Sequence, residues 1–256
     1  MEFIEVAIPG DKAYALPIGD IHYGEAGFTG KGQAKLKGNL DWLRERETHA
    51  FGVFMGDIFN IAGRDSKTSP FGSNSREIIE AVDFFMPYRD LFKGGIGGNH
   101  EFRVENQYGF NPMELFCKFL EIPYLGNLAV VKVQVGQRPN TPWYNQTYYM
   151  AIHHTSTGGR TLGSALNGVE QLSKVVGGCD VYCDGHNHQL VNGVRSTYLP
   201  TPFGLKELKQ HYVSCGSYLD FEGSYAEQKP YAPGKLGSPR IRFGGERDHH
   251  DVHISI

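Results

Sequence analysis

Apolar residues fall in short runs separated by corners rich in Gly, Pro and Asn, and the period of each run assigns its element. Residues 3–8 and 13–18 are β-rich runs joined by Pro9-Gly10-Asp11, the composition of a tight turn. Leu36, Leu40 and Leu43 recur at helical spacing in a charged segment, which predicts an amphipathic helix over about 33–47. The run 51–55 then predicts a strand, completing a β-α-β unit. Ile78, Ile79, Val82, Phe85 and Met86 form one helical stripe within 76–91, read as core, with Pro87 kinking or ending the helix. A run from 91 to 96 predicts a strand approaching a glycine corner. Asn111-Pro112 is a cap followed by a first-turn proline and predicts a helix through about Leu120, packed through Leu115, Phe116 and Phe119.

The second half is richer in β pattern. Residues 128–135 and 147–152 read as strands around a turn-forming stretch, 137–146. Leu162, Leu166, Val169, Leu172 and Val175 make the apolar face of another helix, 180–183 is a strand, and the tail from 189 is mainly strands and turns. Polar residues 60–75 predict a loop, either a connector or a lip beside a site. Alternating β and α in both halves, with no linker and no repeat, predicts a single α/β domain over 1–256 built around two sheets.

Composition narrows this picture. The 256 residues, 40% hydrophobic and 21% charged, suffice for a full core, and a net charge of −3 argues against general capture of nucleic acid. No apolar run approaches the length of a membrane helix, and the first residues lack a signal peptide's pattern, so no membrane contact is expected. Cys117, Cys179, Cys183 and Cys215 form no CxxC pair, which fits a reducing, cytoplasmic setting. On that reading the Asn145-Gln146-Thr147 sequon is a chance match.

The candidate chemistry lies where predicted strands end. Asp20-Ile21-His22, Gly56-Asp57, Gly97-Gly98-Asn99-His100-Glu101, His153-His154 and Gly185-His186-Asn187-His188 each end or follow a strand, the edge where open α/β sheets bind ligands. Asp20 and His22, two apart in an extended segment, can converge on one point. Carboxylate, amide and imidazole suit Mn²⁺, Fe²⁺ or Zn²⁺, and the absence of cysteine argues against a thiolate site. Seven such ligands exceed one tetrahedral ion, whereas two ions sharing a carboxylate would use them. Pairs of ions of this kind serve hydrolytic displacement, usually at phosphorus.

In order and spacing these five segments resemble the motifs of the calcineurin-like metallophosphoesterases, over a span from 13 to 188. The resemblance implies a four-layer α/β/β/α sandwich with a dinuclear site between its sheets. Asp20, His22, Asp57 and His188 would hold one ion. Asp57 would bridge to the other, held with Asn99, a middle histidine and His186. The metal is expected to be manganese, with iron, zinc, nickel or cobalt as alternatives. A hydroxide bridging the ions would attack a phosphate mono- or diester, His100 would protonate or stabilise the leaving group, and Glu101 would orient it. His154 is favoured as the middle ligand although Thr155 stands where the family often has glycine; His153 is the alternative, otherwise placed behind the ligands or facing substrate. Asp248-His249-His250-Asp251 is expected to be a solvated turn before a final strand.

Two departures prune the family. Gly56-Asp57 continues as Ile58-Phe59-Asn60-Ile61-Ala62, without the aspartate and arginine of phosphoprotein phosphatases or the tyrosine of purple acid phosphatases. The remaining bacterial and phage-like group includes phosphodiesterases and nucleases, and residues 153–163 and 223–237 resemble phage- and prophage-type members. A DNA or RNA nuclease needs a basic groove, for which Lys31, Lys35 and Lys37 are the candidates. A non-catalytic scaffold is a third reading, disfavoured by the full ligand set. The partner expected is thus a phosphate ester, a nucleotide or nucleic acid among them, and the sequence leaves the oligomeric state open.

Overall fold

A computed structural model describes residues 1–61, 74–155, 159, 161–222 and 233–256. Among these, eleven strands form two mixed sheets, accompanied by five α-helices. The chain opens with β1 (Glu2–Ile8), β2 (Lys12–Ile18), α1 (Gly30–Arg44) and β3 (Ala50–Met55). Next come α2 (Asn74–Phe85), a 3₁₀ turn (Met86–Leu91), β4 (Phe92–Ile96), α3 (Asn99–Tyr108) and α4 (Pro112–Phe119). The second half runs β5 (Leu128–Gln137), β6 (Tyr144–His153), α5 (Leu162–Val175), β7 (Val181–Asp184), β8 (Leu190–Thr201), β9 (Gly204–Cys215), β10 (Arg240–Gly244) and β11 (Val252–Ser255).

The six-stranded sheet has the order β1-β5-β6-β7-β9-β8 and the five-stranded sheet β11-β10-β2-β3-β4. The Pro9-Gly10-Asp11 turn therefore joins two sheets and closes no hairpin: β1 pairs with β5 and β2 with β3, both in parallel. Ala15, Val53 and Ile96 of the smaller sheet share one buried cluster with Val133, Ile152 and Val213 of the larger. A second cluster joins Leu16, Ile18 and Phe54 to α1, α2 and α4 through Leu40, Phe85 and Phe116. A smaller third one sets Val169 and Leu172 of α5 against Ala151 and Tyr182. Strands buried on both faces explain the near-continuous apolar runs of β2 and β3.

Helix faces are narrower than the sequence pattern suggests. In α2 the buried set Ile78, Ala81, Val82 and Phe85 follows helical spacing, whereas Ile79, about 100° round from Ile78, is exposed. The helix ends at Phe85, and Pro87 opens the 3₁₀ turn. In α4 the cap at Asn111 accepts from the amides of Met113 and Glu114. Its buried stripe is Met113, Phe116 and Cys117, leaving Leu115 and Phe119 exposed. Leu162 and Val175 lie in the terminal turns of α5 and are exposed too. The loop expected at 60–75 falls mostly outside the described residues, as does much of 223–237.

Phe54 anchors the cluster beneath the smaller sheet, stacking on Phe92 at 3.9 Å and meeting Phe85 and Phe116 edge-on at 5.1 Å. Phe54→Ala is expected to lower stability by about 3–5 kcal/mol. Ile79→Ala should stay within about 0.5 kcal/mol. Urea denaturation of both variants checks the assignment of core and surface.

Candidate metal centre

Every sequence-predicted donor except His153 gathers where the C-terminal ends of β2, β3, β4, β6 and β7 meet. Past β2 and β3 the backbone stays zipped: Asp20 N–H donates to Gly56 O, and the amides of Ile21 and His22 both donate to Asp57 O at 3.0 Å. The corner after β4 approaches so closely that a Cβ on Gly98 would overlap both the amide and the carboxylate of Asp57. Glycine at 98 is therefore a condition of the site. Donors from the larger sheet reach across: His186 N–H donates to the Asp20 carboxylate at 2.9 Å.

Two groups of donor atoms result. In the first, His188 Nε2 lies 3.2 Å from Asp20 Oδ1 and 3.1 Å from His22 Nε2, which itself lies 3.8 Å from Asp57 Oδ2. In the second, His154 Nε2 lies 3.3 Å from Asp57 Oδ2 and 3.1 Å from the Asn99 amide oxygen, which also receives His186 Nδ1 at 2.6 Å. Asp57 belongs to both. His100 lies beside it: its N–H donates to Asp57 Oδ1 at 2.8 Å and its ring meets His22 edge-on at 4.7 Å.

The adjacent histidines separate cleanly. His154 is buried and its Nδ1–H donates to Met55 O at 2.7 Å, which turns Nε2 toward Asp57 and Asn99. His153 is partly exposed, its Nδ1 3.4 Å from Asp184 Oδ1 and its ring outside both groups. Strand alternation is the physical reason, since neighbours in a strand point to opposite sides.

Electrostatics test whether cations suit this arrangement. Burial lowers the affinity of His22 and His186 for protons, and the nearby His100 and His154 add to the effect; both are held as neutral imidazoles, the ligand form. Burial would lower His154 as well, but Asp57 and Asp20 outweigh it and push that imidazolium up to about 10. Burial raises Asp57, yet His154, His100 and His22 hold it well below the usual carboxylate range. With Nδ1–H committed to a carbonyl, the Nε2 lone pair of neutral His154 faces two oxygens that also offer lone pairs. A proton or a metal ion at that point relieves the repulsion, and the donor set of carboxylate, amide and imidazole fits a divalent cation.

Two features escape sequence reading. Of the eight non-glycine residues with positive φ among the described ones, five are Asp20, His22, Asp57, His186 and His188. A left-handed conformation costs such residues about 1–2 kcal/mol each, and a set this concentrated marks strain kept for function. Glu101, expected to orient His100, acts elsewhere: the His100 ring is held by Asn60 O, and the buried Glu101 carboxylate accepts the amides of Asp57, Ile58, Phe59 and Gly98 at 2.8–3.3 Å. It fastens the β3 corner to the α3 corner. The sequence's other polar candidates fall elsewhere. Lys31 and Lys37 lie 3.4 Å and 2.7 Å from Glu222 and Asp41, so they make no free basic strip. Residues 248–250 are an exposed turn ahead of β11, as expected, within which His250 hydrogen-bonds Gln146 and Asp180 and stacks on Tyr148.

Glu101→Ala would strand four buried amides. A loss of at least about 3 kcal/mol is expected at about 1–3 kcal/mol for each orphaned donor, measurable by urea denaturation, while Glu101→Gln, which keeps one acceptor oxygen, should lose less.

No protein-family model matches the chain, and no curated protein matches it. Among solved structures it is similar to GAP50, the anchor in the inner membrane complex of Plasmodium, at 9% identity over 94% of this chain and 88% of that one, with a TM-score of 0.40. A likeness that weak says nothing about fold or function here. No described helix is long and apolar enough to cross a membrane.

Proposed function

We propose that this chain is a dinuclear-metal-dependent phosphoesterase of the calcineurin-like metallophosphoesterase family, acting on phosphate mono- or diesters. The observation that carries this reading is the sharing of one buried carboxylate, Asp57, between two groups of inward-facing donors. Asp20, His22, His188 and Asp57 would hold one divalent cation, and Asp57, Asn99, His154 and His186 the other. Two sheets with a common core, and helices packed against a face of each, support the four-layer α/β/β/α arrangement that goes with this assignment.

Two such cations, when bound, make water a competent nucleophile near neutral pH and offset charge on the phosphoryl oxygens. The chain's residues supply the rest. His100 Nδ1 donates to the carbonyl of Asn60 at 2.8 Å, which fixes the ring and leaves Nε2 for the leaving-group oxygen. A proton delivered there avoids release of an alkoxide. Glu101 keeps the corner bearing Asn99 and His100 in register with Asp57. The pairing of Lys31 and Lys37 with carboxylates favours a small ester over a nucleic acid.

Metal-loaded protein is expected to hydrolyse p-nitrophenyl phosphate or its bis-ester, and chelation should abolish that activity. Asp57→Ala should lose tight binding of both ions along with turnover; full metal content with normal rates in this variant would overturn the shared-carboxylate reading. His100→Ala should keep its metals and lose about 10²–10⁴-fold in turnover, less for esters with very acidic leaving groups. His154→Ala should give up one of two metal equivalents by elemental analysis, whereas His153→Ala should retain both.

A further inference from the structure

Among the described residues the six-stranded sheet ends in β8, which is paired on one side only, with β9. Strand β7 meets β9 over residues 211–214, so, among the described residues, 195–210 pair in the sheet only with each other. They form a two-stranded arm closed by Pro202 and Phe203. Because β9 runs parallel to β7, whose C-terminal end leads into His186 and His188, the arm projects from the end of the sheet opposite those histidines. A free hairpin of this kind is marginal in water without a covering surface, and this one exposes apolar side chains: Phe203 99%, Leu205 72%, Tyr198 63% and Val194 52%. Val194, Tyr198 and Leu205 continue the face on which Val213 and Cys215 enter the core shared by the two sheets.

The open edge of β8 is lightly guarded over most of its length. Natural edge strands are commonly blunted by charge, proline, bulges or shortness, but β8 has twelve residues, one proline, Pro200, confined to the hairpin end, and one charge, Arg195, whose guanidinium lies 2.6 Å from Glu170 of α5. Thr201 and Gly204 close the hairpin. Alternation from that pair turns the N–H and C=O of Asn192, Val194, Ser196 and Tyr198 toward the open side.

We propose that β8 is a homodimer interface, in which the edges of two copies pair antiparallel about a two-fold axis at Ser196 and join the two sheets into one. An antiparallel edge is its own complement under a two-fold axis. Centring on Ser196 sets Val194 of each copy against Tyr198 of the other, an aliphatic-aromatic cross-strand pair formed twice. It also sets Arg195 against Thr197, whereas a register one residue earlier would oppose the two arginines. Charge disfavours that other register, and the Val194–Tyr198 pair, formed twice under the axis, favours a second copy as occupant. The inference stands independently of the phosphoesterase reading, since the arm lies at the other end of the sheet.

Sedimentation velocity on the full chain is expected to give twice the 28.5 kDa monomer mass. Ser196→Cys would face its counterpart at a Cα separation of about 5.5 Å, within disulfide range, and should form a covalent dimer on oxidation. The four native cysteines are buried, so the parent protein should not cross-link. The double variant Val194→Lys, Tyr198→Lys alters exposed positions only and should sediment as a folded monomer, its fold checked by circular dichroism and thermal melting. A parent protein that is monomeric at every concentration overturns the proposal. So does a dimer that the lysine pair leaves intact, or one in which Ser196→Cys fails to cross-link.

Discussion

Asp57 is a carboxylate buried among imidazoles, and its negative charge is the feature on which the surrounding structure depends. Water is excluded from it, so its charge is offset chiefly by His154 and by His100 with its amide. Those groups follow β6 of one sheet and β4 of the other, so satisfying one carboxylate requires both sheets to end at the same place. The carboxylate is as much a folding constraint as a chemical one: misplacing any of these strand ends leaves a buried charge uncompensated.

Holding the site costs the fold something locally. Five donors sit in left-handed backbone, and Gly98 leaves no room for a side chain against Asp57. The compensation is visible in hydrogen bonds: amides of the β2 corner on carbonyls of the β3 corner, the Asp20 carboxylate on the His186 amide, and the Glu101 carboxylate under four amides. Aromatic packing around Phe54 sits directly beneath this corner and stiffens it. Strain of this kind persists only where neighbours over-determine the conformation.

The larger sheet is used differently at its two ends. Its donor end is buried and polar and faces the smaller sheet, while its other end runs out as an uncovered arm with an apolar face. Arg195 reaches Glu170 of α5, and among the described residues the strands of the arm beyond it pair only with each other. One polypeptide thus presents a closed chemical edge and an open structural one, which allows assembly at the arm without disturbing the donor groups.

Much of this was legible in the sequence. Short-range pattern sufficed for strands β1 to β7, for the helices α1, α2, α4 and α5 to within a few residues, and for the identity of the candidate donors, because a donor cluster after a strand is a local arrangement of residues. Strands β8 to β11 were legible only as a tail of strands and turns. Local pattern did not show which face of each helix is buried: Ile79, Leu115 and Phe119 look like core in one dimension and lie outside a stripe whose width is set by the neighbouring sheet. Nor did it find α3, whose only buried side chains are Glu101 and Val104, so that no apolar stripe announces it. Tertiary structure alone decided that β1 and β2 belong to different sheets, since a turn does not encode its strands' partners. It also separated His154 from His153, through a bond to Met55 ninety-nine residues away, and joined Glu101 to the amides of a distant corner. Those outcomes depend on contacts between segments far apart in the chain, and periodicity carries no information about such contacts.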